Sequence, residues 1–132
     1  RDSLFQAESR RCKEVLDEIQ DYNSEDGFRH FCIFDELYSG TNPDEATLAG
    51  QAFIEYLCEF SNVNFILTTH YFKICSYCKN HKHIQNYKMD VVVDDNDNFT
   101  YTYKIKKGAS KIKGGIRVLK DLNYPSAILY KL

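Results

Sequence analysis

The chain has 132 residues, of which 43% are hydrophobic and 14% aromatic, enough for one domain with a packed core or a large piece of one. Its net charge of −2 and pI of about 6.1 exclude a chain-wide attraction to nucleic acid or to an anionic membrane. The sequence contains no apolar stretch that approaches the roughly 20 residues of a membrane span, and no signal-peptide pattern is visible at its start. We therefore expect no membrane partner, and any DNA contact from a local patch or from sequence outside this chain. The five cysteines, an odd number, predict reduced intracellular thiols.

The first segment has the pattern of an amphipathic helix from Ser3 to about Tyr22. Ser3 followed by Gln6 matches a capping box. The apolar residues fall mostly on one helical face, namely Leu4, Phe5, Cys12, Val15, Leu16 and Ile19. A helix N-terminus offers free N–H groups and the positive end of the dipole, which makes Ser3 a candidate phosphate contact. An ordinary helix cap is the alternative interpretation.

Two short apolar runs, residues 31–34 and 64–68, are typical of strands that are buried on both sides. Between them, Asn42 and Pro43 supply an N-cap and a first-turn proline for a helix that continues to about Phe60. The order strand, helix, strand predicts a parallel pair and an α/β fold.

Polar residues follow both predicted strands. Asp35 and Glu36 come directly after the first strand, and Thr69 and His70 after the second. Open α/β sheets bind ligands at this carboxyl edge. In P-loop ATPases an aspartate in this place holds Mg²⁺, usually through water, and a neighbouring glutamate can deprotonate the attacking water. A histidine there can reach the γ-phosphate. The alternatives are acidic surface residues at a strand end and a structural histidine.

The second half of the chain has a different pattern. After a short predicted helix over 71–79, residues 87–93 and 99–105 alternate in polarity around a polar turn at 94–98, which predicts a β-hairpin. A basic, glycine-containing loop follows at 108–115. A last helix is predicted over 115–123, with another short turn or helix after Pro125.

Three weaker signals concern ligands. Four residues could supply zinc ligands, namely Cys75, Cys78, His81 and His83, but only two residues separate the two pairs and the cysteines fall in the predicted helix over 71–79, so a zinc site is not favoured. The acidic turn 94–98 has the start of a calcium loop without its glycine and its final glutamate, so a hairpin turn is favoured. Five lysines form a basic cluster that could contact DNA phosphate or simply face solvent, and the solvent-exposed surface is favoured. They are Lys104, Lys106, Lys107, Lys111 and Lys113.

Several segments together resemble the C-terminal part of the ATPase domain of the MutS mismatch-repair family. Residues 3–8, Ser-Leu-Phe-Gln-Ala-Glu, resemble its signature segment, and residues 34–36, Phe-Asp-Glu, its Walker B motif. Residues 40–46 resemble the loop and helix start that follow Walker B, and residues 68–71, Thr-Thr-His-Tyr, the switch histidine. Residues 87–125 resemble the last strands and helix, so the resemblance covers nearly the whole chain in order and spacing.

The resemblance implies that residues 1–132 are the C-terminal portion of an ABC-type ATPase domain, of α/β class, that uses ATP and Mg²⁺ and works as a homo- or heterodimer. It implies that Asp35 assists Mg²⁺, that Glu36 is the general base and that His70 senses the γ-phosphate. Ser3 would contact the ATP held by the other subunit, and Asn42 would lie at the nucleotide-containing dimer interface. Mismatched double-stranded DNA would be bound by domains outside this chain.

The chain also departs from the family pattern. Family members usually carry Gly-Arg-Gly-Thr-Ser or a similar stretch after Walker B, where residues 37–43 here read Leu-Tyr-Ser-Gly-Thr-Asn-Pro, and residues 113–115, Lys-Gly-Gly, replace a late Ser-x-Gly. These differences indicate a divergent branch. Two alternatives stay open: another ABC ATPase of chromosome maintenance or recombination, and a non-catalytic remnant that dimerises or binds a partner.

The phosphate-binding loop G-x-x-x-x-G-K-[ST] does not occur in the sequence, and we expect it upstream of Arg1. We therefore predict that the purified 132-residue chain binds ATP weakly or not at all, because the main cradle for the phosphates is missing. The measurement is a titration with a fluorescent ATP analogue and Mg²⁺. Micromolar binding would contradict the prediction.

Overall fold

A computed structural model describes residues 3–132, which divide into two compact units with the boundary between Asn86 and Tyr87. The first unit contains a parallel strand pair with helices on one face, and the second contains an antiparallel hairpin and short helices. The predicted α/β class is thus confirmed. No helix among the described residues combines the length and apolar character that a membrane crossing requires.

The first unit follows the predicted order of elements, with boundaries shifted by one to three residues. The elements are α1 (Leu4–Asp21), β1 (His30–Phe34), α2 (Pro43–Leu57), β2 (Val63–Leu67) and α3 (Phe72–Cys78). β1 and β2 pair in parallel, in a register that runs from His30 opposite Val63 to Phe34 opposite Leu67. The strand–helix–strand prediction of a parallel pair is confirmed.

Local capping accounts for the starts of the two long helices. Ser3 caps α1 through a complete capping box, in which its hydroxyl accepts from the Gln6 N–H and the Gln6 side chain accepts from the Ser3 N–H. Asn42 caps α2 by accepting from the Glu45 N–H at 2.9 Å. α2 ends at Leu57 rather than near Phe60, because the chain then tightens into turn-type hydrogen bonds such as Phe60 N–H to Leu57 C=O.

The main core lies between α1, α2 and one face of the strand pair. Its buried members include Ile19 of α1, Phe34 of β1, and Phe53 and Leu57 of α2. Residues from the loop after β1 join them, so this loop is packed into the core. A smaller cluster of Ile54, Ile74 and Cys78 joins α2 to α3.

The other face of the strand pair contradicts the sequence prediction. We expected strands buried on both sides, but Phe31, Ile33 and Ile66 are exposed. Side chains alternate between the two faces of a strand, and the helices of this unit cover only the face that carries Cys32, Phe34 and Phe65. The apolar composition of the runs was therefore a correct signal for strands and a wrong one for burial on both faces in this unit.

The second unit begins with the predicted hairpin. β3 (Tyr87–Val93) pairs antiparallel with β4 (Phe99–Lys107), which is two residues longer than expected, and a bulge lies between Met89 and Val91. α4 (Gly114–Asp121) and α5 (Ser126–Leu129) follow. Arg117 of α4 stands 5.5 Å over the Phe99 ring and donates to Asn98 Oδ1 at 2.7 Å, which holds α4 at the turn of the hairpin.

Two tyrosines with the same strained backbone allow a matched test of core packing. Tyr38, in the loop after β1, has φ 58° and Tyr103, at the hairpin bulge, has φ 59°. Tyr38 is 9% exposed and Tyr103 is 86% exposed. Glycine relieves the left-handed backbone in both places, by about 1 kcal/mol, but only at Tyr38 does it remove a packed ring. Removing a buried aromatic side chain costs about 3–5 kcal/mol. With the relief of backbone strain subtracted, we predict that Tyr38→Gly lowers the free energy of unfolding by about 2–4 kcal/mol.

For Tyr103→Gly we expect the free energy of unfolding to change by no more than about 1 kcal/mol. Glycine loses more backbone entropy on folding than tyrosine does, and this loss offsets the relief of strain. Urea-induced unfolding of both variants measures the difference. Equal destabilisation by the two substitutions would mean that the Tyr38 ring contributes no packing energy.

Candidate active site at the ends of the parallel strands

The parallel register brings the two polar strand ends side by side. The ladder continues one residue beyond the strands, since the Thr68 N–H donates to the Phe34 C=O at 2.9 Å. Asp35 and Glu36 follow Phe34 directly, and so lie next to Thr68. The carboxyl edge of the pair thus carries two carboxylates and a hydroxyl on neighbouring strands.

Thr68 connects both acidic residues through one hydroxyl group. The hydroxyl donates to Asp35 Oδ1 at 2.8 Å and accepts from the Glu36 backbone N–H at 2.8 Å. One Asp35 oxygen is therefore fixed in direction, and the backbone of Glu36 is fixed relative to β2. The sequence analysis placed Thr68 at the end of the second strand and assigned it no role of its own, although a hydroxyl side chain at a strand end was the signal that could have identified it.

His70 reaches the second carboxylate. Its Nε2 lies 2.5 Å from Glu36 Oε1. A carboxylate only accepts hydrogen bonds, so Nε2 carries the proton of this contact. The His70 side chain is 83% exposed and that of Glu36 is 46% exposed. Glu36 has a left-handed backbone, φ 54°, and its carboxylate contacts His70 whereas that of Asp35 contacts Thr68.

The side chains at this edge carry the kind of donor atom that a magnesium ion prefers. Asp35, Glu36 and Thr68 present only oxygen atoms, and all three residues are exposed. Mg²⁺ prefers such hard ligands and takes one or two protein carboxylates, with water and phosphate oxygens in the remaining positions. Asp35 also faces a groove of about 820 Å³ beside α1, whose lining includes Leu4, Glu8 and Ile33.

The other two predicted site residues, Ser3 and Asn42, both engage their side chains in helix caps. Ser3 caps α1. The Asn42 amide group donates to Glu45 Oε2 at 2.8 Å, and the Thr41 hydroxyl donates to the same oxygen at 3.0 Å. Asp35, Glu36 and His70 thus form one cluster with Thr68, while Ser3 and Asn42 each lie at the N-terminus of a helix.

The loop after β1 is fastened to α1. The Tyr38 N–H donates to Glu8 Oε2 at 2.6 Å, and the Tyr38 ring contacts the Phe5 ring at a centroid distance of 5.8 Å. Burial raises the pKa of the Tyr38 phenol far above its usual range, and the neighbouring Cys12 thiol raises it further. Glu8 is the second residue that the sequence analysis left without a role. Nothing local in the sequence indicates a contact between residues so far apart.

The cluster read as possible zinc ligands has other partners. Cys78 packs in the smaller core, where burial raises the pKa of its thiol to about 11. His81 Nε2 lies 3.2 Å from Glu55 Oε2, and Tyr77 also donates to that carboxylate. Across residues 3–132, no group of three or more His, Cys, Asp or Glu side chains is arranged to hold a metal ion.

The two remaining signals lie in the second unit. Asp94 Oδ1 accepts from the backbone N–H groups of Asn96 and Asn98, at 2.9 and 2.8 Å, as in a polar hairpin turn, and the bond from Asn98 is the main cause that lowers the pKa of Asp94. Lys106 pairs with Asp90 at 3.4 Å. The other lysines of the basic cluster are exposed on β4 and the following loop, and a contact with DNA phosphate stays a prediction.

Carboxylates and a histidine at the carboxyl edge of parallel strands, in a mixed α/β unit, are the arrangement expected of the P-loop ATPase class. The chain belongs to the MutS domain V family, the ATPase domain of MutS proteins, since the model of that family matches residues 1–131. The resemblance stated from the motifs is thereby confirmed.

Individual relatives agree with the family. The chain is 32% identical over 92 residues to the DNA mismatch repair protein MutS of Persephonella marina, covering 70% of the chain and 10% of that protein. It is 32% identical over 101 residues to the DNA mismatch repair protein MutS of Lactococcus lactis subsp. cremoris (strain SK11), covering 76% and 12%. It is 30% identical over 129 residues to the Endonuclease MutS2 of Fusobacterium nucleatum, covering 98% and 15%. The chain therefore spans only 10–15% of the length of these relatives.

The Thr68 bridge generates a prediction that needs no nucleotide. Thr68→Val keeps the shape of the side chain but leaves the Glu36 N–H without its acceptor. A hydrogen bond of about 1 kcal/mol corresponds to roughly fivefold faster exchange of that amide. Hydrogen exchange followed by NMR measures it.

Thr69→Val is the matched control, because the Thr69 hydroxyl accepts from the Tyr71 N–H at 3.0 Å instead. It should accelerate exchange at Tyr71 and leave Glu36 unchanged. Unaltered exchange at Glu36 in Thr68→Val would exclude the bridge.

Proposed function

We propose that this chain is the portion of a MutS-type ATPase domain that supplies the magnesium, water-activating and dimer-interface residues for ATP hydrolysis in a DNA-repair protein. The observation that carries the proposal is the cluster in which Thr68 holds Asp35 and Glu36 while His70 holds the Glu36 carboxylate. Adjacent carboxylates fixed by different partners are suited to different tasks.

In this proposal Asp35 serves the metal. Thr68 occupies Asp35 Oδ1, so Oδ2 is the oxygen directed to Mg²⁺ or to one of its water ligands. When bound, Mg²⁺ neutralises charge on the phosphate oxygens. The contribution of the chain is to hold the carboxylate in one orientation, so that no rearrangement of Asp35 is needed when the nucleotide arrives.

Glu36 acts as the general base. His70 Nε2 donates to Oε1, which leaves Oε2 to accept the proton of the attacking water. The same imidazole is exposed and can swing to the γ-phosphate, so that it reports whether the terminal phosphate is present. A base held on one side by a donor keeps the geometry that proton transfer requires.

Ser3 and Asn42 belong to the dimer in this proposal. Both lie at helix N-termini, and α1 and α2 are long enough to present the dipole and free N–H groups that favour an anion. Ser3 would face the ATP bound by the other subunit, and Asn42 and its loop would lie across the interface. ATP would then hold two subunits together, in a homo- or a heterodimer.

The names of the relatives support DNA as a partner of the intact protein. Two of them are named DNA mismatch repair protein MutS and one Endonuclease MutS2. We propose mismatched double-stranded DNA as the partner of the intact protein, bound by domains outside this chain. A MutS2-type protein is the second candidate, favoured by the alignment with the Fusobacterium nucleatum protein over 98% of this chain.

The test is made in the intact parent protein with Glu36→Gln. This substitution keeps size and hydrogen bonding but removes the proton acceptor. ATP should bind normally while single-turnover hydrolysis falls by roughly 10²–10⁴, the usual contribution of general-base catalysis. Asp35→Asn should instead weaken Mg²⁺-dependent nucleotide binding. Glu59→Gln, at an exposed glutamate after α2, is the matched control and should change neither.

Sizing of the Glu36→Gln protein with and without ATP tests the shared site. The trapped nucleotide should hold two subunits together, because Ser3 of one still reaches the ATP of the other. Unchanged hydrolysis would remove Glu36 as the base. Lost hydrolysis without ATP-dependent dimerisation would reject the assignment of Ser3 and leave that of Glu36 intact.

A further inference from the structure

The helix that carries Ser3 and the loop that follows the acidic pair are held together by a contact that bridges 30 residues of sequence. Glu8, on the second turn of α1, accepts the Tyr38 backbone N–H through Oε2 at 2.6 Å. Its other oxygen, Oε1, is buried and has no hydrogen-bond partner among the described residues. Burying a carboxylate oxygen without a partner costs free energy, so the packing of Glu8 against the loop is not explained by the single hydrogen bond to Tyr38 alone.

Two further contacts fix the same loop on the same helix. A Cβ added to Gly40 would lie 2.9 Å from the Phe5 backbone nitrogen and 3.2 Å from the Leu4 carbonyl carbon, so the loop backbone touches the first turn of α1. The Tyr38 ring is wedged between the rings of Phe5 and Phe53. The Leu4 Cγ lies 3.1 Å away and belongs to a side chain, but the other two neighbours are backbone atoms, so a movement of the Leu4 side chain alone would not make room for a substituent.

The loop depends on these contacts for its shape. Glu36 and Tyr38 both have left-handed backbones, with φ 54° and 58°. Residues other than glycine hold such conformations only where their surroundings impose them. The Glu36 N–H is fixed from one side by Thr68 and the Tyr38 N–H from the other side by Glu8. The direction of the Glu36 side chain is therefore set by two anchors, one on each flank.

We propose that Glu8 is a positioning residue that fixes the Glu36 carboxylate through Tyr38 and joins it to the helix of Ser3 in one rigid body. The proposal rests on the proposed function, since it assigns Glu8 to the hydrolysis step. The nucleotide contact offered to the other subunit and the base of the chain's own site then move together. A shift of α1 on contact with the ATP of the other subunit is transmitted to Glu36 through the Tyr38 N–H.

The experiment uses the full-length protein and compares Glu8→Gln with Glu8→Met. Both fill the volume, but only glutamine retains an oxygen that accepts from Tyr38. For Glu8→Met we expect kcat for ATP hydrolysis to fall by at least about tenfold, because small displacements of a catalytic group have large effects on rate. KM and the melting temperature should stay near those of the parent protein. Glu8→Gln should restore kcat to within about threefold of the parent.

Gly40→Ala is a second route to the same displacement, because its methyl group pushes the loop away from α1 while Glu8 is intact. It should also lower kcat with little change in KM. Gly115→Ala is its matched control, since the added methyl group meets nothing within 4 Å. If Glu8→Met does not fold, Gly40→Ala decides the question.

The outcomes separate this inference from the function on which it rests. A parent protein whose hydrolysis is unaffected by Glu36→Gln rejects the proposed function. A normal Glu36→Gln defect with equal kcat in Glu8→Met and Glu8→Gln rejects only the positioning role. If kcat and the melting temperature both fall and KM also changes, in Glu8→Met and in Gly40→Ala alike, Glu8 has a structural role only. That result would also reject the inference.

Discussion

The parallel pairing of β1 with β2 is the constraint on which the candidate site depends. The register places Phe34 opposite Leu67, and one step further the Thr68 hydroxyl meets both Asp35 and the Glu36 backbone. A slip of β1 by one residue would send Phe34 to the exposed face and Phe31 and Ile33 into the core. The burial of Phe34 against α2 therefore selects the register, and the register in turn assembles the polar groups. The same strand register thus satisfies the apolar packing and brings the polar groups of the candidate site together.

The loop after β1 contains strained backbone, and packing of its side chains in the core offsets the cost. Left-handed conformations at Glu36 and Tyr38 each cost on the order of 1–3 kcal/mol. Burial of the Tyr38 ring between Phe5 and Phe53 offsets such a cost, since a buried aromatic contributes a comparable amount. The packing of this ring is the physical reason that a side chain is tolerated at a left-handed position.

Local signals in the sequence predicted the helices and strands well, but they did not predict the long-range contacts. The caps by Ser3 and Asn42 involve residues three apart, and the hairpin follows from alternation around one turn. The link from Thr68 to Asp35 joins residues 33 apart, and that from Glu8 to Tyr38 joins residues 30 apart. Such pairs are fixed by tertiary packing, which no local pattern encodes. The exposed face of the strand pair was missed for the same reason, because composition reports a strand and not what covers it.

Exposure of the reactive groups bears on how the proposed site works. The His70 side chain is largely open to solvent and that of Glu36 is about half exposed, whereas the neighbouring residues Phe34, Leu37 and Tyr38 are buried. Electrostatic interactions at an open edge are weak because water screens them, and hydrolysis gains from a site that excludes bulk water. A rigid edge with exposed reactive groups is therefore suited to closure by a second surface. This supports the proposal that the nucleotide is enclosed between two subunits. In the same proposal the α1 helix would contribute Ser3 to the opposite site, and the Glu8–Tyr38 contact would join that helix to the loop of its own site.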